Sequence, residues 1–239
     1  MKASPHPRES RRNGLLGALP YVDWQALVPW MEFSHVAAGQ VLHQGGSAIR
    51  QVYFPISCVA ALVQVLADGA SVQTALIGPE AAAGLSVFLG DDLAPCLAVV
   101  QGAGQVVGID AAMLKLEFRR AGPFMNLTLR CVHALMAQQA QTAVCSRHHP
   151  LEQQLCRWLL SSLDRMNINE LVVTHEFIAG MLGVRRESIT EAAHRLQHRG
   201  LIHAHRGHIE VLDRRGLQDM ACECYAQIKR YHDALLPAA

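Results

Sequence analysis

Apolar residues recur along this chain with three different rhythms, and each rhythm predicts a different kind of element. Residues 15–31 show helical spacing in short pieces, with Pro20 and Pro29 as punctuation. From Val36 the pattern shifts to short apolar runs at 52–54, 59–66, 72–77, 97–100 and 106–109. Glycine corners separate them: Gly39, Gly45-Gly46, Gly69, Gly78, Gly90 and 102–104. Several short strands divided by such turns predict an antiparallel barrel or jelly roll. Residues 109–120 return to helical spacing, and Pro123 opens a long helix over 124–148 with no internal proline or glycine. In it Met125, Leu129, Val132 and Met136 fall at alternating four- and three-residue steps, and the phase continues through Gln139 and Ala143. That seam suits the same helix of a second copy, while Leu127, Leu135 and Val144 widen the apolar face toward the chain's own core. After Pro150 a further helix over 151–166 turns Leu155, Trp158, Leu159 and Leu163 inward.

The densest pattern follows at 174–212. Phe177, Ile178, Met181 and Leu182 make one helix face, Gly183 interrupts it, and Ile189, Ala192, Ala193 and Leu196 begin another. Thr174 is a good N-cap. Ala179 supplies a small side chain where two helices cross, Gly183 a positive φ at the turn, and Ile189 an apolar plug between them. Gly200 ends the second helix. Two short runs, 201–204 and 208–212, then flank Arg206-Gly207 as a hairpin. This is the pattern of a winged helix-turn-helix, whose second helix meets base edges in a major groove. Arg185, Arg186 and Glu187 sit at the start of that helix. The pattern therefore predicts binding to double-stranded DNA, the alternative for such a module being contact with a protein. A last helix, capped by Asp213, is expected to run to about Tyr231.

Composition narrows the class. The chain has 239 residues, 51% of them hydrophobic, enough for one large or two modest domains with real cores. No apolar run spans a bilayer and no signal peptide opens the chain, so a cytoplasmic protein without a membrane segment is expected. The net charge of +1 is uninformative, but residues 174–216 hold seven arginines and six histidines against five acids. The seven cysteines are scattered without a C-x-x-C, as for reduced thiols. Cys222 and Cys224, two apart on the expected last helix, should point away from each other and share no metal. No nucleophile–base motif, phosphate-cradling loop or metal signature points to an enzyme.

Barrel, long helix, hinge and winged helix together resemble the CRP/FNR superfamily of bacterial transcription regulators. The likeness runs from about residue 15 to 231 and is strongest at LEQQLCRWLL, FIAGMLGVRRESITEAAHRLQHRGLI and RGHIEVLDRRGL. It implies an α+β chain with a flexible arm (1–13) and a cyclic-nucleotide-binding-like β-roll (14–122). A dimerisation helix with hinge (123–149) and a winged helix-turn-helix domain (150–239) follow. It also implies a homodimer reading a palindromic operator with half-sites one helical turn apart, and contact with RNA polymerase. In CRP-like members an Arg-Glu pair early in the recognition helix, and an arginine one turn later, touch operator bases. Arg186 and Glu187 match the pair, suited to guanine O6/N7 and cytosine N4 respectively; Glu191 replaces the later arginine and reads cytosine or pairs with Arg195. Thr190 can meet a thymine methyl, Ser188 and Arg206 suit phosphates, and Arg185 and Arg195 either face DNA or stay solvated.

The effector region departs from the family. Gly78, Glu80, Gly84 and Ser86, with Gln139 from the long helix, match the places where cyclic nucleotides are held. Yet no arginine or lysine occurs anywhere in 51–110, so a buried cyclic phosphate would lack its counter-charge. The expectation is a regulator that does not answer to cAMP or cGMP, the alternative being a nucleotide sensor with an altered pocket. An iron–sulfur cluster is not expected, because no cysteine precedes Cys58, and neither is haem, for which His35, His43 and Cys58 are the available ligands.

Overall fold

A computed structural model describes residues 6–235. They divide into two compact units, the first comprising 6–62, 76–136 and 231–235, the second 63–75 and 137–230.

The chain begins with α1 (Gly14–Ala18) and α2 (Tyr21–Leu27), followed by β1 (Met31–Val36), β2 (Val41–His43), β3 (Gln51–Pro55), β4 (Val59–Val65), β5 (Ser71–Ile77), β6 (Leu97–Gly102) and β7 (Gly104–Asp110); all belong to the first unit except 63–65 of β4 and 71–75 of β5. These strands form two sheets ordered β1-β7-β3 and β2-β6-β4-β5. Strand β7 runs antiparallel to both neighbours, with Phe33 and Phe54 both opposite Val107. Val52, Phe54, Val59, Val100, Val106, Val107 and Ile109 are fully buried, giving the roll its core. The glycine-divided strands are therefore present as expected, but β1 and β2 were not foreseen. Polar Glu32, Ser34 and His35 dilute the apolar signal of β1, and only pairing with β7 makes it a strand.

The arm is also more ordered than its composition suggests. Its first five residues lie outside the described part, but Pro7–Arg12 form a 3-10 turn. Ser10 is fully buried and accepts a hydrogen bond from Trp24 Nε1 (2.9 Å), and the Arg11 guanidinium lies 5.4 Å from the Trp24 ring centre. Asn13, also buried, caps α1 at Leu16 N and donates to Pro55 O (2.9 Å) and Ala81 O (2.8 Å). A polar stretch is held here because two distant carbonyls need its donors. Of the expected flexible arm, residues 7–13 are thus anchored.

Asp110 then caps α3 (Ala111–Arg119), accepting from Ala112 N and Met113 N. The long helix α4 (Pro123–His148) follows with the expected limits. In the second unit come α5 (Leu151–Met166), β8 (Glu170–Val172), α6 (His175–Leu182), α7 (Arg186–His198), β9 (Ile202–His205), β10 (His208–Val211), α8 (Arg214–Met220) and all but the last three residues of α9 (Cys224–Asp233). Leu155, Trp158, Leu159 and Leu163 of α5 are buried, and Trp158 Nε1 donates to Gln73 Oε1 (2.9 Å) in the distal part of the β4–β5 hairpin. The single last helix expected from the sequence is two helices, α8 and α9, broken at 221–223. Cys222 lies in that break and Cys224 begins α9, so the expectation that the two thiols diverge along one helix is overturned. Among the described residues, no helix is long and apolar enough to cross a membrane.

Candidate nucleic-acid interface

Helices α6 and α7 meet as the sequence pattern requires. Thr174 Oγ1 accepts from Phe177 N at 3.1 Å, satisfying one of the orphan donors that open α6. Gly183 ends the helix at φ 66°, returning its N–H to Ala179 O. Ala179 and Ile189 are 3% and 0% exposed, the small residue at the crossing and the plug beside it.

Burial then sorts α7 into two faces. Ile189, Ala192, Ala193 and Leu196 point into the unit, whereas Arg185, Arg186, Glu187, Glu191 and His194 are exposed. Arg185, the residue before the helix, gives its first turn no side-chain cap; Ser188 N turns back to Arg185 O (3.1 Å), and the helix opens on Arg186 and Glu187 without a capping side chain. Ser188 is half-buried within that turn. Thr190 is half-buried too, and its hydroxyl donates to Arg186 O (3.1 Å) and lies 3.0 Å from His175 Nδ1. Arg195 is paired with Glu152, and its Nη1 lies 3.9 Å from Glu191. Among the described residues, carboxylates thus already match Arg195, while Arg185 and Arg186 stand exposed at the helix start.

The wing is a tight β9–β10 hairpin with His205 opposite His208. Arg206 and Gly207 hold consecutive positive φ values of 39° and 83°, the sign a two-residue type I′ turn demands, and Arg206 is exposed at the tip. Strand β8 pairs on the other edge of β10, and His208 Nδ1 meets Glu170 Oε1 at 2.7 Å. Between wing and helix starts lies an open cleft of about 480 Å³, lined in part by Thr174, His175, Arg186, His205, Arg206 and His208. Sequence reading did not assign His175, His203, His205 or His208. Their signal was the histidine-rich composition of the segment; the ring contacts of 4.9 Å (His203–His205) and 5.2 Å (His205–His208) exist only once the hairpin folds. Burial, with the charges of Arg186 and His194 adding to it, lowers the pKa of His175.

The seam predicted on α4 is mixed. Leu129 and Met136 are 43% and 62% exposed, and Gln139 and Ala143 also face solvent. Met125 is half-buried, and Val132 is buried within its own chain. Val144, placed on the core-facing side by the sequence, is 50% exposed.

The effector candidates are tied up internally or scattered. Glu80 Oε1 accepts from Gly78 N (3.2 Å) and lies 3.7 Å from His232 Nδ1. Gly84 packs against the His43 ring, and Ser86 is half-buried in a 3-10 turn, Leu85–Phe88. Gln139 belongs to the other compact unit. Of the possible haem ligands, His43 Nε2 is engaged with Gln51 O at 2.8 Å, and burial pushes the Cys58 thiol up to about 12.

Residues 153–220 match the model of the Crp-like helix-turn-helix domain. No curated protein matches the chain by sequence. Among solved structures, the chain is similar to a protein of Eubacterium rectale assigned to the crp/fnr family of transcriptional regulators. That pair has a TM-score of 0.71 and 20% identity over 87% of this chain and 98% of that one. FixK2 of Bradyrhizobium japonicum gives a TM-score of 0.69 at 13% identity, over 80% and 98% of the two chains. The c-di-GMP-responsive global regulator CLP of Xanthomonas campestris gives 0.65 at 14% identity, over 80% and 99%.

Proposed function

We propose that this chain, with its Crp-like helix-turn-helix domain and the fold of the CRP/FNR regulators, is a homodimeric transcription regulator that reads a palindromic operator. The carrying observation is the cleft in which the uncapped, cationic start of α7 and the Arg206 wing tip face outward together. Arg186 and Glu187 read bases in this account. Glu191 and the Thr190 methyl extend the reading, and Arg185, Ser188 and Arg206 hold phosphates. Arg195 takes a secondary part, since two carboxylates already compete for its charge. Dimerisation falls to α4, where the exposed Leu129, Met136, Gln139 and Ala143 form the stripe a second copy would cover. The reading assigns no catalytic role, and extends to contact with RNA polymerase and a cytoplasmic location by likeness to the family.

The effector is not cAMP or cGMP in this reading. Any phosphate entering the roll would be buried without a cation from 51–110 to meet it. The test is retardation of mixed-sequence duplex fragments over a salt series. Binding should fall by orders of magnitude between about 50 and 200 mM salt as phosphate counterions are released, and cAMP should leave it unchanged. A flat salt response would turn the winged helix into a protein-contact module, and a cAMP-dependent gain would overturn the reading of the roll.

A further inference from the structure

Away from the interface, the second unit gathers four metal-ligating side chains at one point. Cys145 and His149 lie one turn apart at the end of α4, with His149 N bonded to Cys145 O at 3.1 Å. Cys222 comes from the break between α8 and α9, and Cys224 from the first residue of α9. One ligand atom from each lies within 4.8 Å of all the others. Cys145 Sγ and Cys222 Sγ are 3.5 Å apart, and Cys224 Sγ is 3.4 Å from His149 Nδ1. The three thiols are buried and the imidazole half-buried.

We propose that Cys145, His149, Cys222 and Cys224 form a tetrahedral site for one divalent transition-metal ion of the zinc class. Bond lengths of about 2.3 Å to sulfur and 2.0–2.1 Å to nitrogen make tetrahedral edges of roughly 3.5–3.8 Å. Two edges of the cluster, at 3.5 and 3.4 Å, already have about that size and the others lie within 4.8 Å, so the four groups close on a single ion by small rotations of side chains already in place. A donor set of three soft sulfurs and one imidazole is what zinc selects, and four protein ligands leave no open position, as in a structural site.

The surroundings fit as well as the ligands. While His149 Nδ1 faces the thiols, its Nε2 lies 3.3 Å from a Glu223 carboxylate oxygen, the carboxylate–histidine arrangement that orients a metal-bound imidazole. Gln154 Nε2 donates to His149 O (2.8 Å), and Gln141 Nε2 donates to Cys224 Sγ (3.0 Å). Three thiolates around a divalent ion leave one net negative charge, and the buried Arg157 guanidinium beside Cys145 is its counter-charge. Binding releases the thiol protons and joins the end of α4 to the α8–α9 break. A disulfide between Cys145 and Cys222 would use only two of the four groups and leave the Glu223–His149 pairing without purpose. The inference is independent of the DNA reading, because none of the four ligands lies on α7 or the wing.

The test uses the full chain, purified reduced, stripped with a chelator and titrated with Co²⁺ as a spectroscopic probe. Saturation is expected at one Co²⁺ per chain, with thiolate-to-cobalt charge transfer in the near ultraviolet and intense tetrahedral bands at the red end of the visible. Zn²⁺ should then displace the cobalt and bleach both. Cys145→Ser and Cys224→Ser should abolish the charge-transfer band at equimolar Co²⁺, whereas Cys96→Ser should leave it intact. Should the site variants fail to fold, X-ray absorption on the zinc-loaded wild type answers the same question. It should find three sulfurs at about 2.3 Å and one nitrogen at about 2.0 Å. Failure to retain metal through desalting, coordination by oxygen and nitrogen alone, or a Cys145–Cys222 disulfide indifferent to zinc would each overturn the proposal.

Discussion

Replacing Arg186 by alanine should nearly abolish operator binding while leaving the fold intact. The side chain is exposed at the first residue of α7, on the rim of the cleft shared with the wing. A bidentate arginine–guanine contact is worth about 1–3 kcal/mol. The proposed homodimer would make the contact twice, in half-sites too far apart to couple, so the cost to the complex should be about 2–6 kcal/mol. Titration of a fixed operator by fluorescence anisotropy reads this directly, and repeating it with each base pair exchanged shows where preference is lost. Loss of discrimination at one symmetric pair of positions is the expected result. Equal weakening on every sequence would reduce Arg186 to a phosphate contact.

The second large effect lies in the roll and concerns stability alone. Gly104 opens β7 opposite Val36 of β1, and a Cβ there would stand 2.6 Å from Ser57 C, Ser57 O and Cys58 N. All three are backbone atoms, which no rotamer change can move aside. Gly104→Ala must therefore displace the strand or the turn at Ser57, at a cost of about 3 kcal/mol or more, a large share of a typical domain's stability. Gly122→Ala is the matched control, because nothing lies within 4 Å of its added methyl and its φ is not positive. Thermal melts should show a drop of roughly 6–12 °C for the first substitution and almost none for the second. Equal melting points would mean that the approach of β7 to the Ser57 turn is looser than described.

What was legible in the sequence was whatever depends on neighbours in the chain. Thr174, Ala179, Gly183 and Ile189 identify the two crossed helices because capping, turning and plugging are decided within sixteen residues. The strands between glycine corners, the long helix and the wing were legible for the same reason. What was not legible depends on partners far away in sequence. Nothing near Asn13 announces that Pro55 and Ala81 will need its amide, so the polar arm read as loose. The strand at Met31–Val36 owes its form to β7, whose paired residues lie 68 to 78 positions on. The interface candidates were named individually, but the sequence left Arg195 between DNA and a solvated face. Glu152, forty-three residues away, supplies a partner that local spacing could not suggest. The thiol cluster is the sharpest case. No proline or glycine marks the break at 221–223, so an unbroken helix set Cys222 and Cys224 on opposite sides. Cys145, seventy-seven residues earlier, shows its relation to them only in the fold.

The central claim is that α7 enters a major groove and that pairing of two chains through α4 doubles its reach. Selection of bound duplexes from a random pool by the 239-residue chain tests this most directly. The account predicts an enriched inverted repeat whose half-sites lie about 34–36 Å apart along the helix, each with a guanine that Arg186 reads. A pool that emerges without symmetry, or without any enrichment over the starting mixture, would contradict it.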